Sequence, residues 1–423
     1  MNLWSSFSPN SSKEWETKIK KDLKIDSIDS LFWKTNYGLI NPTSSIRSKL
    51  YLNKYSDFKE ISWRIDDKNC SNKELLFHLS NGINSINIIN QSFSESLFEN
   101  VMSDIIFNNI YLDDNINDSE ISNWLKWINH NDSMPGSLRA DVVGSVLNDS
   151  LLALKKINVD FLESTQKNLN NKNFKCLFID GELYGNLFDD PSVEISHTIA
   201  HLNETIEIYK NSAIEIPNKL IIKIGLSSDF IQEIAKIRAL RGLVFQIIST
   251  HQLNLDLQIE CSFKASELSP LEKENNLLRL TTAFSVAIIS GTNGIELKDD
   301  YTINSGHYWK KIITNIPIIL TEESQLNINT DVIEGAHVLE QMSVKMAHQS
   351  WNLFKNIESQ GGIIQYAKQG KLLKTAEKEQ ILKLENLRNK NKKIIGFNHF
   401  TKDSTDLNYQ KNLKTPFELK ELL

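Results

Sequence analysis

Two pairs of carboxylates lie close together after one apolar segment of the sequence, where they could form a catalytic pair or a metal site. Asp180 ends the predicted strand 174–180, and Glu182 comes just after it. Asp189 and Asp190 follow in the same predicted loop. At the carboxyl end of a strand in a (β/α)8 barrel, such carboxylates could act as acid and base or hold a metal ion. The alternative is a polar loop leading into a helix, because two aspartates before a proline are a typical signal for a helix start.

Two histidines and a glutamate have the spacing of metal ligands on a helix. His197 and His201 are four residues apart and Glu204 is three further on, so a helix would bring these side chains near one face. Against a zinc site, Thr198 occupies the position of the general-base glutamate in a zinc-protease motif, and no further ligand is evident. We therefore predict two histidines on the surface of an amphipathic helix and no metal-binding residue, with a zinc site as the alternative.

The sequence contains none of the short motifs that mark common nucleotide-binding and hydrolytic sites. It has no GxGxxG, GxxxxGK[ST], GxSxG or HExxH pattern. The 423 residues are 40% hydrophobic and carry a net charge of −6, and no stretch approaches about 18 consecutive apolar residues. These values exclude a wholly disordered chain and a membrane protein, and the acidic balance argues against a nucleic-acid partner.

Three well-separated cysteines indicate the compartment. Cys70, Cys176 and Cys261 form no CxxC pair and leave an odd thiol, which argues for a reducing environment and against a disulfide framework or a thiolate zinc site. Residues 1–10 have neither the basic nor the apolar region of a secretory signal. We therefore expect a cytoplasmic protein.

Between residues 60 and 300, short β-rich segments alternate with longer segments of helical periodicity. Several of the short segments are apolar nearly throughout, which is typical of strands covered on both faces, as in parallel sheets. The best helix begins near Asp229, and its apolar residues from 230 to 247 are spaced three or four apart. We therefore predict a (β/α)8 TIM barrel, with an unrelated α/β sheet as the alternative. The candidate strands are residues 61–65, 85–89, 105–112, 174–180, 220–225, 257–263 and 293–297.

The predicted barrel is flanked by two further segments. We assign residues 1–45 to an N-terminal extended and helical arm, 46–365 to the barrel, and 366–423 to C-terminal helices and a tail. Residues 368–393 contain eight lysines and one arginine against three glutamates, a net charge of +6. Such a run could bind phosphate, but on a late helix it more often forms a solvated face, which we expect here.

The arm contains a helix that cannot bury its own apolar residues. Trp15, Ile19 and Leu23 lie at helical spacing in a lysine-rich segment, and further aromatic side chains follow at Phe32 and Trp33. A single apolar stripe on so short a helix must pack against a larger body. That body is either this chain's own barrel or a partner subunit. We expect the partner, since aromatic residues are enriched at interface cores.

Taken in chain order, several segments resemble the methylmalonyl-CoA mutase family. Residues 15–23 (WETKIKKDL) are similar to the family's opening arm, and residues 74–88 (ELLFHLSNGINSINI) to its helix, glycine and first barrel strand. Residues 275–294 (NNLLRLTTAFSVAIISGTNG) resemble its Arg-x-Thr-Thr helix and paired-glycine turn. The resemblance spans nearly the whole chain. Three later segments are similar as well: 314–324 (TNIPIILTEES), 352–362 (NLFKNIESQGG) and 394–400 (IIGFNHF).

The residues that bind and activate the substrate in catalytic family members are absent from this chain. In catalytic members the strand before the acidic loop ends in Ser-Gly-Tyr-His, whose histidine hydrogen-bonds the thioester carbonyl, but here Glu182 and Leu183 stand at the Tyr-His positions. Leucine cannot donate a hydrogen bond or polarise a carbonyl. Residues 137–141 (SLRAD) replace the family's Thr-Ile-Gln-Asn-Asp, so the amides that face substrate and cofactor are missing. The resemblance therefore implies no catalytic residue in this chain.

The residues that bind the corrin cofactor are also missing. Family members ligate cobalt with the histidine of Asp-x-His-x-x-Gly, and none of the nine histidines here has an aspartate two residues earlier. We therefore expect no cobalamin-binding domain and no cofactor-binding residue in this chain. Catalytic members also line the barrel bore with small residues, so that the pantetheine arm of the acyl-CoA can pass through it. The candidate strands here mix bulky and apolar groups with little glycine or serine, although half of each set faces outward, so we expect a bore closed by side chains and not an open tunnel for acyl-CoA.

A mutase barrel without these groups resembles the small, non-catalytic subunit of the heterodimeric bacterial members. The resemblance then implies a large partner subunit that holds the active site, adenosylcobalamin and the acyl-CoA, in a complex that interconverts methylmalonyl-CoA and succinyl-CoA. This chain would supply an interface and stability, and we expect it to bind neither nucleic acid nor membrane. One alternative is a stand-alone barrel enzyme that uses Asp180 and Glu182. A second is a catalytic mutase barrel whose cobalamin domain is a separate chain.

Overall fold

The chain forms a barrel of eight parallel strands, with a small antiparallel hairpin outside it. The computed structural model describes residues 11–35, 37–41, 58–66, 71–89, 99–106, 110–115, 121–130, 134–150, 158–269, 271–272, 274–301, 306–327 and 330–400. The hairpin consists of β1 (Trp33–Thr35) and β2 (Gly38–Ile40). The barrel strands are β3 (Glu60–Asp66), β4 (Ser85–Ile89), β5 (Tyr111–Asn115), β6 (Gly136–Arg139), β7 (Leu177–Asp180), β8 (Lys219–Leu226), β9 (Asp256–Phe263) and β10 (Gly294–Leu297).

The order of the strands is that of a (β/α)8 barrel. The strands β3, β4, β5 and β6 pair in that order through parallel ladders, and so do β7, β8, β9 and β10. The last strand, β10, pairs with the first, β3, and places Glu296 beside Ser62. The remaining junction, between β6 and β7, has no backbone ladder among the described residues. The eight strands thus form a nearly closed barrel flanked by helices, which confirms the predicted fold class.

Helices follow the strands and cover the outer face of the barrel. The helix Phe230–Thr250 starts as predicted, because the Asp229 side chain accepts a hydrogen bond from the Gln232 N–H at 3.1 Å. Apolar residues on its inner face, such as Ile234 and Val244, are buried. The α-helices of the described part of the chain are Ser12–Leu23, Asn72–Ser80, Ile121–His130, Val142–Ser150, Val159–Asn168, Glu182–Leu187, Pro191–Asn211, Phe230–Thr250, Asn275–Ile289, His307–Ile318, His337–Glu358, Gly362–Lys368 and Lys371–Arg388.

Three barrel strands differ from the predicted ones. The strand predicted at 105–112 was wrong in position, because the observed strand begins only at Tyr111 and ends at Asn115. β7 begins at Leu177 rather than at residue 174, because a 3-10 turn, Lys172–Phe174, precedes it. The sequence pattern does not predict β6 at all, since its four residues (GSLR) include a single large apolar side chain.

The N-terminal residues divide into an exposed helix and an anchored hairpin. The helix Ser12–Leu23 has no buried residue. The hairpin, in contrast, buries Tyr37 and Ile40 against the body of the protein. Just after the hairpin, the Asn41 N–H donates to the Gln341 side chain at 3.0 Å, and the Gln341 amide donates back to the Asn41 carbonyl. The hairpin therefore packs on this chain's own barrel, while the helix before it does not.

Parts of the predicted flanking segments lie outside the described residues. These are residues 1–10, 36 and 42–45 of the arm and residues 401–423 of the tail. In the part of the chain that the structure describes, no helix combines the length and the apolar content that are required to cross a bilayer.

Candidate functional site in the barrel bore

Alternate residues along the barrel strands point into the bore, and many of these are charged. Arg139 on β6 contacts Glu260 on β9, and Lys223 on β8 contacts Glu296 on β10, although neither pair of strands is adjacent. Such pairs can meet only inside the barrel. The apolar residues between them, such as Ile222 on β8, face the surrounding helices and belong to the main core. The bore is therefore bridged by charged side chains.

The side chains that meet in the bore are mostly charged, and not the bulky and apolar groups from which a closed bore is predicted. The strands alternate between two faces, and the helices cover the face that carries most of the apolar residues. A small cluster of Cys176, Phe178 and Ile221, separate from the main core, is the exception. The side chains of Arg139 and Lys223 are only 1% and 2% exposed, so bulky charged groups fill the bore at these levels.

One group of charges surrounds Arg139. Its guanidinium lies 2.7 Å from Asp113 and 2.6 Å from Glu260, and its Nε donates to the Ser137 hydroxyl at 2.9 Å. Glu60, Asp113 and Glu260 each place one carboxylate oxygen within 4.8 Å of the other two, which is close enough to hold a cation. The guanidinium of Arg139 already supplies that positive charge, so the group is compensated without a metal ion.

Burial and neighbouring charges shift the pKa values of this group. Burial raises the pKa of Glu60 to about 8, and the charges of Asp113 and Glu260 add to the effect. Burial alone would lower the pKa of Arg139, but the same carboxylates raise it above its usual range. Glu60 is therefore mostly protonated at neutral pH, whereas Arg139 keeps its charge.

The structure brings the predicted pair Asp180 and Glu182 together, since the Glu182 N–H donates to the Asp180 carboxylate at 3.1 Å. Glu182, however, is buried and forms ion pairs with Lys298 and, at 2.9 Å, with Lys223. Burial alone would raise the pKa of Glu182, but these two ammonium groups lower it well below its usual range. A carboxylate in this state is a poor acid and a poor base. Burial and the charge of Glu182 instead raise the pKa of Asp180, so the pKa values of the two carboxyl groups shift in opposite directions.

The C-terminal segment of the chain packs on the loops that follow β7 and β9. Lys392 donates to Asp189 at 2.8 Å and to Glu267 at 2.9 Å, and Lys383 donates to Glu267 at 2.6 Å. These two lysines belong to the basic run that is predicted to be solvated. Part of that run instead neutralises carboxylates of the barrel loops, which leaves Asp189 engaged in an ion pair.

The other residues of the acidic loop also have structural roles. Asp190 caps the helix Pro191–Asn211, because its side chain accepts the Ser192 N–H at 2.8 Å. This contact confirms the interpretation of the loop as a helix start. Leu183, at the position where the resemblance would require histidine, is partly buried and packs against the main core. Its side chain offers no polar group to a thioester.

The two histidines of the predicted metal motif are buried, so their prediction as surface residues was wrong. His197 is 3% exposed and His201 is 0% exposed. The helix that carries them, Pro191–Asn211, is packed between neighbouring helices, among them Phe230–Thr250 and His337–Glu358. Periodicity in one helix cannot show that its second face is covered as well.

Each of these histidines already has hydrogen-bond partners. His201 lies 2.8 Å from Asp141 through Nε2 and 3.2 Å from the Tyr184 hydroxyl through Nδ1. Because a carboxylate can only accept, Nε2 carries the proton of this contact. His197 Nδ1 lies 2.8 Å from the Val193 carbonyl, and burial lowers the pKa of His197 to about 4, so its ring is neutral.

The predicted metal ligands do not converge on one point. Glu204 is hydrogen-bonded to the backbone of Ile363, in the helix Gly362–Lys368. None of the hydrogen-bond partners of His197 and His201 lies in that helix. Among the residues that the structure describes, the group with metal-ligand distances is the one around Arg139. No sequence-predicted ligand belongs to that group.

Sequence reasoning missed the charged residues of the bore, although the sequence contains a signal for them. Each lies in a short strand between apolar or small neighbours, and a charge that is buried in such a strand must find a partner of opposite charge. The pattern identifies the residues but does not pair them. They are Arg139 in GSLR, Lys223 in KLIIKIGL, Glu260 in DLQIECSF and Glu296 in GIEL.

The fold and the bore define the class of this protein as a parallel (β/α)8 barrel with buried ion pairs across its centre. Residues 136–418 match the protein family described as methylmalonyl-CoA mutase. The match covers well over half of the sequence, and the chain belongs to the methylmalonyl-CoA mutase family. Its named relatives are mutases, which are isomerases.

Curated relatives match the chain at low identity. The methylmalonyl-CoA mutase small subunit of Porphyromonas gingivalis is 26% identical over 193 residues, which cover 44% of this chain and 31% of the relative. The methylmalonyl-CoA mutase of Escherichia coli is 23% identical over 247 residues, or 56% of this chain and 34% of the relative. The 2-hydroxyisobutanoyl-CoA mutase large subunit of Aquincola tertiaricarbonis is 22% identical over 261 residues, or 59% and 46%. The chain thus spans about a third to a half of the length of these relatives.

Proposed function

We propose that this chain is the non-catalytic small subunit of a heterodimeric, adenosylcobalamin-dependent methylmalonyl-CoA mutase in the cytoplasm. A large partner subunit then holds the cofactor and the acyl-CoA, and the complex interconverts methylmalonyl-CoA and succinyl-CoA. This chain supplies an interface and stabilises the complex. Similarity to a relative named as a small subunit supports the proposal, and so does the state of the barrel bore.

The observation that carries the proposal is the set of ion pairs across the bore. Arg139 contacts Glu260, and Lys223 contacts Glu296, in both cases between strands that are not neighbours. An acyl-CoA whose pantetheine arm passed through the bore would have to separate these partners. Separating a buried pair leaves uncompensated charges, at a cost of about 3–5 kcal/mol. The bore therefore favours a barrel that does not admit substrate.

The residues of this chain do not fit cobalamin either. Cobalt ligation in the manner of the family needs a histidine in an Asp-x-His-x-x-Gly motif, and no histidine here follows an aspartate by two positions. His201 is engaged through both ring nitrogens, with Asp141 and Tyr184. His197 is engaged through Nδ1 with the Val193 carbonyl, and its Nε2 has no partner but is buried. The residues present therefore offer no cobalt ligand of the family's kind.

The helix Ser12–Leu23 is the surface best suited to bind the partner subunit. Trp15 is 52% exposed and Leu23 is 55% exposed, and Trp33 on the adjoining hairpin is 46% exposed. Burying such side chains contributes about 25 cal/mol per Å² of apolar area, and aromatic residues often dominate interface energetics. The hairpin that follows the helix is anchored to the helix His337–Glu358 through Asn41 and Gln341, while Trp15 and Leu23 stay exposed.

Co-expression with the large mutase subunit of the same genome tests the proposal. An affinity tag is placed on this chain alone, and the two chains are produced separately and together. We expect equimolar co-purification, turnover of methylmalonyl-CoA only when the large subunit is present, and a higher melting temperature of the large subunit in the complex. A large subunit that does not co-purify, or that is equally stable alone, would contradict the proposed role.

A further inference from the structure

One junction of the barrel is held by side chains instead of a backbone ladder. β6 and β7 are the two ends of the strand order, and among the described residues no backbone hydrogen bond joins them. Every other neighbouring pair of barrel strands shares a parallel ladder. Backbone groups along such an edge need other partners. This junction between β6 and β7 forms a seam in the barrel.

Asp141, two residues after β6, is the main link across the seam. Its Oδ2 accepts the Asp180 N–H, at the end of β7, at 3.0 Å. Its Oδ1 accepts the Gly144 N–H at 2.7 Å and the Nε2–H of His201 at 2.8 Å. The Tyr184 hydroxyl, 3.2 Å from Nδ1, orients the His201 ring. One carboxylate therefore gathers donors from β7 and from two helices at one point.

Along the strands themselves the contacts across the seam are weaker. The Cys176 thiol, directly before β7, donates to the Leu138 carbonyl at 3.4 Å, and a thiol is a weak donor. The Arg139 guanidinium lies 5.1 Å from the centre of the Phe178 ring, which is a modest cation–π contact. Cys176 is nevertheless only 3% exposed, and it packs in a small buried cluster with Phe178 and Ile221.

We propose that the barrel opens locally at the seam and that Asp141 is the latch that holds it closed. Separating β6 from β7 breaks no backbone ladder, so it costs less than separating any other neighbouring pair. In the open state Cys176 meets solvent. Cys261 stays buried, because β9 pairs it with Ile224 on one side and with Ile295 on the other. Asp141 is thus a positioning residue, whether or not this chain is the subunit of a mutase complex.

Thiol labelling of the full chain tests the opening of the seam. With Cys70→Ser, which removes a cysteine outside the described residues, the reactive thiols are Cys176 and Cys261. We expect N-ethylmaleimide to modify Cys176 at least about tenfold faster than Cys261 under native conditions, as located by mass spectrometry, since only local opening exposes Cys176. Equal rates would show that both thiols react only on global unfolding, and would overturn the proposal.

The substitution Asp141→Asn tests the latch, because it keeps the shape of the side chain and replaces one accepting oxygen with an amide. We expect Cys176 to react at least about tenfold faster in this variant and Cys261 to react as before, since charge-assisted hydrogen bonds across the seam are lost. The matched control is Asp160→Asn, at an exposed aspartate, which should change neither rate. A Cys176 rate that Asp141→Asn leaves unchanged would show that the reagent enters by another route.

A second variant keeps the test decisive if Asp141→Asn does not fold. Tyr184→Phe removes only the hydroxyl that orients His201, so the latch loses its alignment but keeps its carboxylate. We expect a smaller acceleration of Cys176 labelling in this variant, together with faster hydrogen exchange of the Asp180 amide. An Asp180 amide that exchanges as in the wild-type chain, with unchanged Cys176 labelling, would overturn the role of the latch.

Discussion

The guanidinium of Arg139 lies 2.6 Å from the carboxylate of Glu260, although the two residues are 121 positions apart and their strands are not neighbours. Both side chains are nearly inaccessible, with exposures of 1% and 7%. Such a pair gains little over two apolar side chains when it forms, but losing one partner is strongly destabilising. The centre of this barrel is therefore a structural core made of charges.

Removal of Arg139 is expected to destabilise the fold. In Arg139→Met, the carboxylates of Asp113 and Glu260 lose the cation that they share. We expect the free energy of unfolding to fall by about 3–5 kcal/mol, as measured by urea unfolding. The control is Lys374→Met, at an exposed position, which should change this free energy by less than about 0.5 kcal/mol. Similar losses in the two variants would show that the pair does not hold the barrel together.

Acid is expected to weaken the contact of Lys223 and Glu296. Burial alone would raise the pKa of Glu296, but Lys223 and the neighbouring cations lower it from 4.5 to about 2. A carboxyl group whose pKa is lower in the folded chain contributes stability above its unfolded pKa and loses it as the pH falls from about 4.5 towards 2. The urea midpoint should therefore fall less steeply through this range in Glu296→Gln than in the wild-type chain. Parallel acid profiles would argue against a charged Glu296.

A rise in pH is expected to act in the opposite direction at Glu60. Burial raises the pKa of Glu60 to about 8, well above the unfolded value of 4.5. The stability that this group contributes is fully present below about 4.5 and declines as the pH rises through about 8. Glu60→Gln imitates the protonated carboxyl, so its urea midpoint should decline less than that of the wild-type chain between about pH 5 and pH 8. If the two midpoints decline together, Glu60 is ionised in the folded protein.

The helix Ser12–Leu23 is expected to serve association and not the folding of the isolated chain. The double variant Trp15→Ser, Leu23→Ser removes exposed side chains, so the free energy of unfolding should change by less than about 0.5 kcal/mol. Its affinity for the large subunit should fall at least about tenfold by isothermal titration calorimetry. Thr17→Ala, on the opposite side of the same helix, is the control and should bind normally. Undiminished affinity in the double variant would place the interface elsewhere on the chain.

The part of the fold that the sequence predicts correctly depends on residues close together in the chain. The apolar run 220–225 identifies β8, and the aspartate at 229 identifies a helix start, because strand burial and capping are local properties. β6 escapes prediction because its sequence, GSLR, has no apolar run. Its polar residues are favourable only inside a barrel whose other strands supply their partners.

The candidate site is harder to predict because its contacts join distant residues. The sequence shows a charged residue in β8 and another in β10, but which of them meet depends on the stagger of the strands around the barrel. The same limit applies to His197 and His201, whose burial follows from helices packed on their second face. The absence of histidine at Leu183, in contrast, can be read from the sequence alone.

Binding of the acyl-CoA to the isolated chain is the most direct test of the central claim that this barrel does not act on substrate itself. The isolated chain and its complex with the large subunit are each titrated calorimetrically with methylmalonyl-CoA in the presence of adenosylcobalamin, and succinyl-CoA is quantified by chromatography. We expect no saturable binding and no succinyl-CoA with the isolated chain, and both with the complex. Saturable binding or succinyl-CoA formation by the isolated chain would contradict the account, because the ion pairs of Arg139 and Lys223 would then have to admit the substrate.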